Sequence, residues 1–174
     1  MSILKVNTIQ DKGGNTIISS NGTGTITPSF AVGKIGQMTS TNFVLNSSIT
    51  STSYAELDSS CRLSLTPTAT TSKFIFQFQF PWFINLSNTG FFVNVYKDVG
   101  GGGYNVIYTS GQLTRYAGYQ SSTGNYSFIT IQVVDSPSTT SQVTYTPYVK
   151  GSNTNTINFG NDGLYFATLM EVLA

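Results

Sequence analysis

Apolar and polar residues alternate along most of the chain in short runs that end in Gly, Asn, Asp, Ser or Pro, the pattern of β-strands closed by turns. No run carries a convincing helical period. The sharpest alternation is KFIFQFQF, residues 73–80, which places Phe74, Phe76, Phe78 and Phe80 on one face. Burying four such side chains is worth about 6–12 kcal/mol gross, so this stripe is expected to face a core.

Near the N-terminus ILKVNTIQ is closed by DKGG, NTIISS by NGTG, and TIT by Pro28, which predicts three short strands joined by tight turns. They hold too few large side chains for a core of their own. Ile3, Leu4, Val6, Ile9, Ile17, Ile18 and Ile26 are buried only by wrapping copies together or docking on a partner; otherwise the stretch is a tail. Residues 28–36, PSFAVGKIG, read as a junction. The expected division is an N-terminal β segment, 1–36, and a head, 37–174. Candidate strands of the head are QMTSTNFVLN, RLSLTP, KFIFQFQFPWFINL, FFVNVYKD, YNVIYTSGQL, NYSFITIQVVD, SQVTYTPYVK, NTINFG and GLYFATLMEVL. Their spacing predicts an all-β fold, an antiparallel jelly-roll-like β-sandwich.

The last strand is apolar on both sides, with Leu164, Phe166, Met170 and Val172 on one face and Tyr165, Ala167, Leu169 and Leu173 on the other. A sandwich strand ordinarily keeps one wet face. Two readings follow: the face holding Tyr165, Ala167, Leu169 and Leu173 meets neighbouring subunits, or the strand is central and covered by loops.

Composition sharpens the first reading. Only 9% of residues are charged, against about 25% in an ordinary domain, and the net charge is +1. Near-zero charge favours association. The basic residues are scattered, so no nucleic-acid footprint is expected. MSILKVNTIQ lacks the apolar run of a secretory signal, and no window is apolar enough for a spanning helix. The expectation is synthesis in a cytoplasm, with no membrane insertion.

Catalytic chemistry finds little to work with. The chain has no histidine, which removes Ser-His-Asp and Cys-His arrangements and all His-ligated metal sites. Cys61 is the single cysteine, so neither a disulfide within the chain nor a cysteine metal cluster can form. Glu56 and Asp58 are two apart, the spacing of a carboxylate pair on one strand face, but a solvated strand edge accounts for both. VGGGGYN lacks the Lys-Ser/Thr of a phosphate loop and reads as a hairpin tip. The expectation is a protein that is not an enzyme, with no cofactor and no metal.

One stretch suggests recognition. Between Tyr104 and Tyr126, the residues Tyr108, Arg115, Tyr116 and Tyr119 sit among Gly, Ser, Thr, Gln and Asn. Tyrosine supplies rigid, amphipathic contact area at low entropic cost, and small polar residues supply adaptable hydrogen bonds. Either these residues touch a host-surface glycan or protein, or they line the strands and loops of a tyrosine-rich sandwich.

LKVNTIQDKGGNTIISSNGTGTIT resembles the opening of fibre-like virion proteins of marine tailed phages, notably those infecting cyanobacteria. ITSTSYAEL, LTPTATTSKF, VVDSPSTTSQVTYTPYVKGS and the final ATLMEV are similar to the body of the same group. The resemblance implies a homotrimeric structural component of the virion, a tail fibre or adhesin binding the host cell, with other virion proteins as partners. It also implies particle attachment through the N-terminal segment, with Ile3, Leu4, Val6 and Ile9 as candidates. A capsid decoration or adaptor that stabilises the particle without binding a receptor is the alternative. The chain has no long shaft of repeats, which sets it apart from long fibres.

Overall fold

In a computed structural model the described residues are 8–14, 16–20, 26–28, 34–86, 88–107, 114–118 and 124–173. They build an all-β protein of antiparallel strands, with one 3₁₀ turn at Ser59–Cys61. Strands β1 (Thr8–Gln10), β2 (Thr16–Ser20) and β3 (Ile26–Pro28) form a small sheet in the order β1-β2-β3. These are the three short strands expected from the turn signals, and Gly14, at φ +80°, closes the first turn.

The remaining strands form a two-layer sandwich. One sheet has the order β11 (Asn125–Asp135), β7 (Lys73–Ile84), β13 (Ile157–Leu173) and β4 (Lys34–Ile49). The other runs β10 (Thr114–Gly118), β8 (Thr89–Val99), β12 (Val143–Gly151) and β5 (Ala55–Glu56). It is widened by β6 (Leu63–Leu65), which pairs with β12, and β9 (Asn105–Val106), which pairs with β8. From β4 to β13 the chain passes repeatedly from one sheet to the other, as in a jelly roll.

The phenylalanine stripe faces the core as its alternation predicts. Phe74, Phe76, Phe78 and Phe80 are all fully buried. Opposite them the six-stranded sheet contributes Phe91, Val93, Val95, Val143, Tyr145 and Val149. Ring pairs join the layers: Phe76 lies 6.0 Å from Tyr145, and Trp82 meets Phe91 edge-on at 5.4 Å. At one edge Lys97 Nζ donates to both carboxylate oxygens of Asp135, at 3.0 and 2.7 Å, and Tyr145 Oη donates to Oδ2 at 2.8 Å. This pair is largely shielded from water and ties β8 of one sheet to the end of β11 in the other.

Two expectations are corrected. Tyr165, Ala167 and Leu169, read as a subunit interface, lie in the core of their own chain, and Leu173 is half-buried beyond them. They are excluded from any surface because β13 is a central strand, flanked by β7 and β4, and this parity faces the opposing sheet. NTINFG and GLYFATLMEVL are one strand with an irregularity after Gly160, not two. Within the tyrosine-rich stretch, residues 114–118 form a strand that pairs with β8.

The buried face of β13 also carries Glu171, a fully buried carboxylate. Thr68 donates to it through N–H at 2.6 Å and Oγ1 at 2.7 Å, and Gln37 Nε2 donates at 2.8 Å. Burial works to raise its pKa, but the nearby Ser72 hydroxyl and the Thr68 and Gln37 donors outweigh it, so the carboxyl sits below its ordinary value. A depressed folded-state pKa contributes stability that is present above the unfolded value and is lost as pH falls through the folded one. The melting temperature should therefore fall with acidification below about pH 4.5. Glu171→Gln, whose carbonyl can keep the two Thr68 donors only by turning its NH2 toward the Gln37 donor, should cost about 1.5–3 kcal/mol at neutral pH. It should also flatten that acid slope, which calorimetry across pH 3–7 measures.

Candidate functional site: two unlike outer faces

Strand alternation gives each sheet an outer face, and the two faces differ in chemistry. On the six-stranded sheet, β12 and β8 send out Tyr148, Tyr96, Lys150 and Phe92, while β5 brings Glu56 into register with Tyr148. Tyr96 and Tyr148 stack with centroids 3.9 Å apart. Tyr104 continues the row at 6.1 Å from Tyr148, and Tyr54 at 6.3 Å from Tyr96. Each end carries a cation. The Arg62 guanidinium lies 5.1 Å from the Tyr104 ring centre, and Lys150 Nζ lies 4.8 Å from Tyr54 and 5.2 Å from Phe92, within the range of cation–π attraction.

Arg62 is further fixed by Glu56, donating from Nε at 2.7 Å and Nη2 at 2.6 Å, while Thr146 Oγ1 donates to the same carboxylate at 2.9 Å. The hydrogen bonds from Arg62 hold the Glu56 carboxyl below its usual range, against the opposing effect of burial. Burial pushes the phenols of Tyr54, Tyr104 and Tyr148 upward, so they stay protonated at neutral pH. Tyr54 Oη is shielded from solvent and has no hydrogen-bond partner among the described residues. The result is a ladder of half-buried rings, neutral along its length, with hydrogen-bonding groups and two cations at its ends.

Glu56 and Asp58 do not form a carboxylate pair. Glu56 is engaged by Arg62 and Thr146, and Asp58 caps the 3₁₀ turn by accepting from Ser60 N–H at 2.8 Å. The Cys61 thiol in that turn is fully buried, and burial pushes its pKa up to about 12, which leaves it unreactive. Gly100, Gly101 and Gly103 take positive φ around Val99 and Tyr104, consistent with a hairpin tip.

The outer face of the four-stranded sheet carries a group of exposed apolar side chains. It exposes Ile35, Met38 and Val44 on β4, Tyr126, Phe128 and Val134 on β11, and Phe166 on β13. Phe128 is 64% exposed, Tyr126 and Val44 63%, and Met38 61%, and a grouping of large exposed apolar side chains is the mark of an interaction surface.

The structure separates the residues expected to act together. Tyr104 belongs to the ladder, whereas Tyr126 lies on the opposite outer face, stacked on Phe83 at 4.1 Å. Arg115 and Tyr116 lie on β10, where the Arg115 backbone is in register with Phe92. Tyr108 and Tyr119 fall outside the described residues, as do Ile3, Leu4 and Val6; Ile9 is exposed on β1. The missed members are Tyr54, Arg62, Tyr96, Tyr148 and Lys150. YKD and TPYVK carry Tyr96, Tyr148 and Lys150 at outward parity, a signal visible only once the Val-rich parity of the same strands is placed inward.

No family model and no curated protein matches the chain. Among solved structures it is similar to the VP2 subviral particle protein of infectious bursal disease virus, at 9% identity and a TM-score of 0.46, over 88% of this chain and 36% of that one. A structure of the Gt strain of that virus gives 10% identity and a TM-score of 0.43, over 87% and 41%. Eiger TNF from S. frugiperda gives 8% and 0.34, over 75% and 93%. The chain thus spans well under half the length of the viral chains. Likeness at these scores carries no functional argument, which rests on the two faces.

Proposed function

We propose that this chain is a structural component of a tailed-phage virion, a short fibre or adhesin that assembles as a homotrimer and binds the host cell surface through the aromatic ladder. The observation that carries the reading is the ladder from Arg62 through Tyr104, Tyr148 and Tyr96 to Tyr54 and Lys150. Tyrosine and arginine are the residues that concentrate binding energy at contact surfaces. A face of this kind suits a hydroxyl-rich glycan or a protein loop, and weak single sites gain strength from several copies on one particle. The resemblance to fibre-like phage proteins supports the same role.

The test is competition for adsorption. Purified protein should slow adsorption of the phage to its host, and the Tyr104→Ala, Tyr148→Ala double variant should lose about tenfold or more of that potency. Equal potency of the double variant would count against the ladder. Particles that lack the protein, adsorb normally and break under osmotic stress would point instead to a capsid decoration.

A further inference from the structure

Cross-strand register resolves the exposed face of the four-stranded sheet into layers. Toward one end Val134, Ile75, Met170 and Met38 are neighbours across all four strands, with Val172 and Ile35 beside them. The next row is Gln132, Gln77, Thr168 and Ser40. A second row of Thr130, Gln79, Phe166 and Asn42 follows, and beyond it Phe128 faces Pro81 and Tyr126 faces Phe83, with Val44 exposed on β4. The rows run from apolar through polar to apolar, and Lys73 stands at the rim.

We infer that a second copy of this chain docks on this face, apolar band on apolar band and amide-hydroxyl belt on belt. Three features select an identical partner. Gln, Thr and Ser side chains each both donate and accept, so a belt of them pairs with its own copy, whereas a charged partner would go unmatched. With no cluster of like charge, two copies meet without repulsion on a chain of net charge +1. At about 4.8 Å between strands and about 3.3 Å per residue, four strands over some ten residues cover on the order of 600 Å² before side-chain relief. That is close to the roughly 800 Å² per partner of a stable interface. Self-docking through this face leaves the ladder of the opposite sheet outward. The inference is independent of the virion role, because a protein that assembles but binds no cell retains it.

Light scattering at micromolar concentration tests it. The wild-type protein should run at a multiple of its 18.8 kDa chain mass, and Met38→Lys with Phe128→Lys at the single-chain mass with unchanged far-UV circular dichroism. Gln77→Glu, nearly isosteric and on the surface of the single chain, keeps the test sound if that pair misfolds. It should dissociate the assembly at pH 7.5 and restore it near pH 5, where facing carboxylates protonate because like charge raises their pKa. A wild-type protein at single-chain mass would overturn the inference, as would Gln77→Glu assembling at every pH, or Arg62→Glu on the ladder dissociating the assembly in its place.

Discussion

Phe78→Ala should cost about 3–5 kcal/mol, the range for truncating a fully buried phenylalanine. Domains of this size are stable by roughly 5–15 kcal/mol in all, so the variant should sit at the margin of folding. Phe78 is flanked across its sheet by Ile131 and Ala167, and its ring neighbours are Phe43 at 5.9 Å, Phe76 at 6.2 Å and Phe80 at 4.9 Å. Ala167 is too small to fill the space the ring leaves. Phe43 also stacks on Tyr165 at 5.6 Å and is held there. A cavity therefore persists. Urea denaturation should show a lower midpoint with an unchanged slope. Phe128→Ala, on the exposed face, should change the stability of the dissociated chain by no more than about 0.5 kcal/mol.

Gly160→Ala should be comparably severe, for a backbone reason. Gly160 has φ +119°, a conformation that L side chains rarely adopt. A Cβ built there would lie 1.9 Å from the Leu45 carbonyl oxygen and 2.7 Å from its carbon, both main-chain atoms of β4. No side chain can swing aside. Either β4 separates from β13 or the irregularity after Gly160 is rebuilt, and a loss above about 3 kcal/mol is expected. Gly36→Ala is the control, because its nearest obstacle is the movable end of Leu173, 2.8 Å away. Thermal melting of the two variants side by side separates a backbone clash from a side-chain one.

The fold was legible where a strand has one apolar parity. The phenylalanine stripe of β7 and the Ile129, Ile131, Val133 alternation of β11 name their buried faces directly. On β13 both parities are apolar, and the parity that enters the core also contains Glu171, whose charge reads as a mark of solvent. Its oxygens are instead satisfied by Thr68 and Gln37, residues more than a hundred positions away in the chain, which no local pattern records. With both parities apolar, the pattern offers no way to choose between them; the face of Tyr165, Ala167, Leu169 and Leu173 is the inward one, and the exposed apolar face is the opposite one.

The ladder was hidden for a related reason. Its rings come from Tyr54, Tyr96, Tyr104 and Tyr148, single residues in four separate segments that are brought together by the pairing of β12 with β8 and β5. Local density of tyrosine drew the reading to residues 104–126, and of that group Tyr104 stands in the ladder while Tyr126 lies across the sandwich. What composition did convey was the shortage of charge, which the outer face of the four-stranded sheet shares.

The central claim is that copies meet through the four-stranded sheet and leave the ladder outside. Thiol labelling of the assembled protein tests it with little background, because Cys61 is buried and unreactive. Ser40→Cys lies in the polar belt and Asn105→Cys beside the ladder, and both positions are exposed in the single chain. The account predicts that a maleimide labels Asn105→Cys quickly and Ser40→Cys only after dissociation. Equal labelling of both in the assembled protein, or protection of Asn105→Cys with Ser40→Cys open, would contradict it.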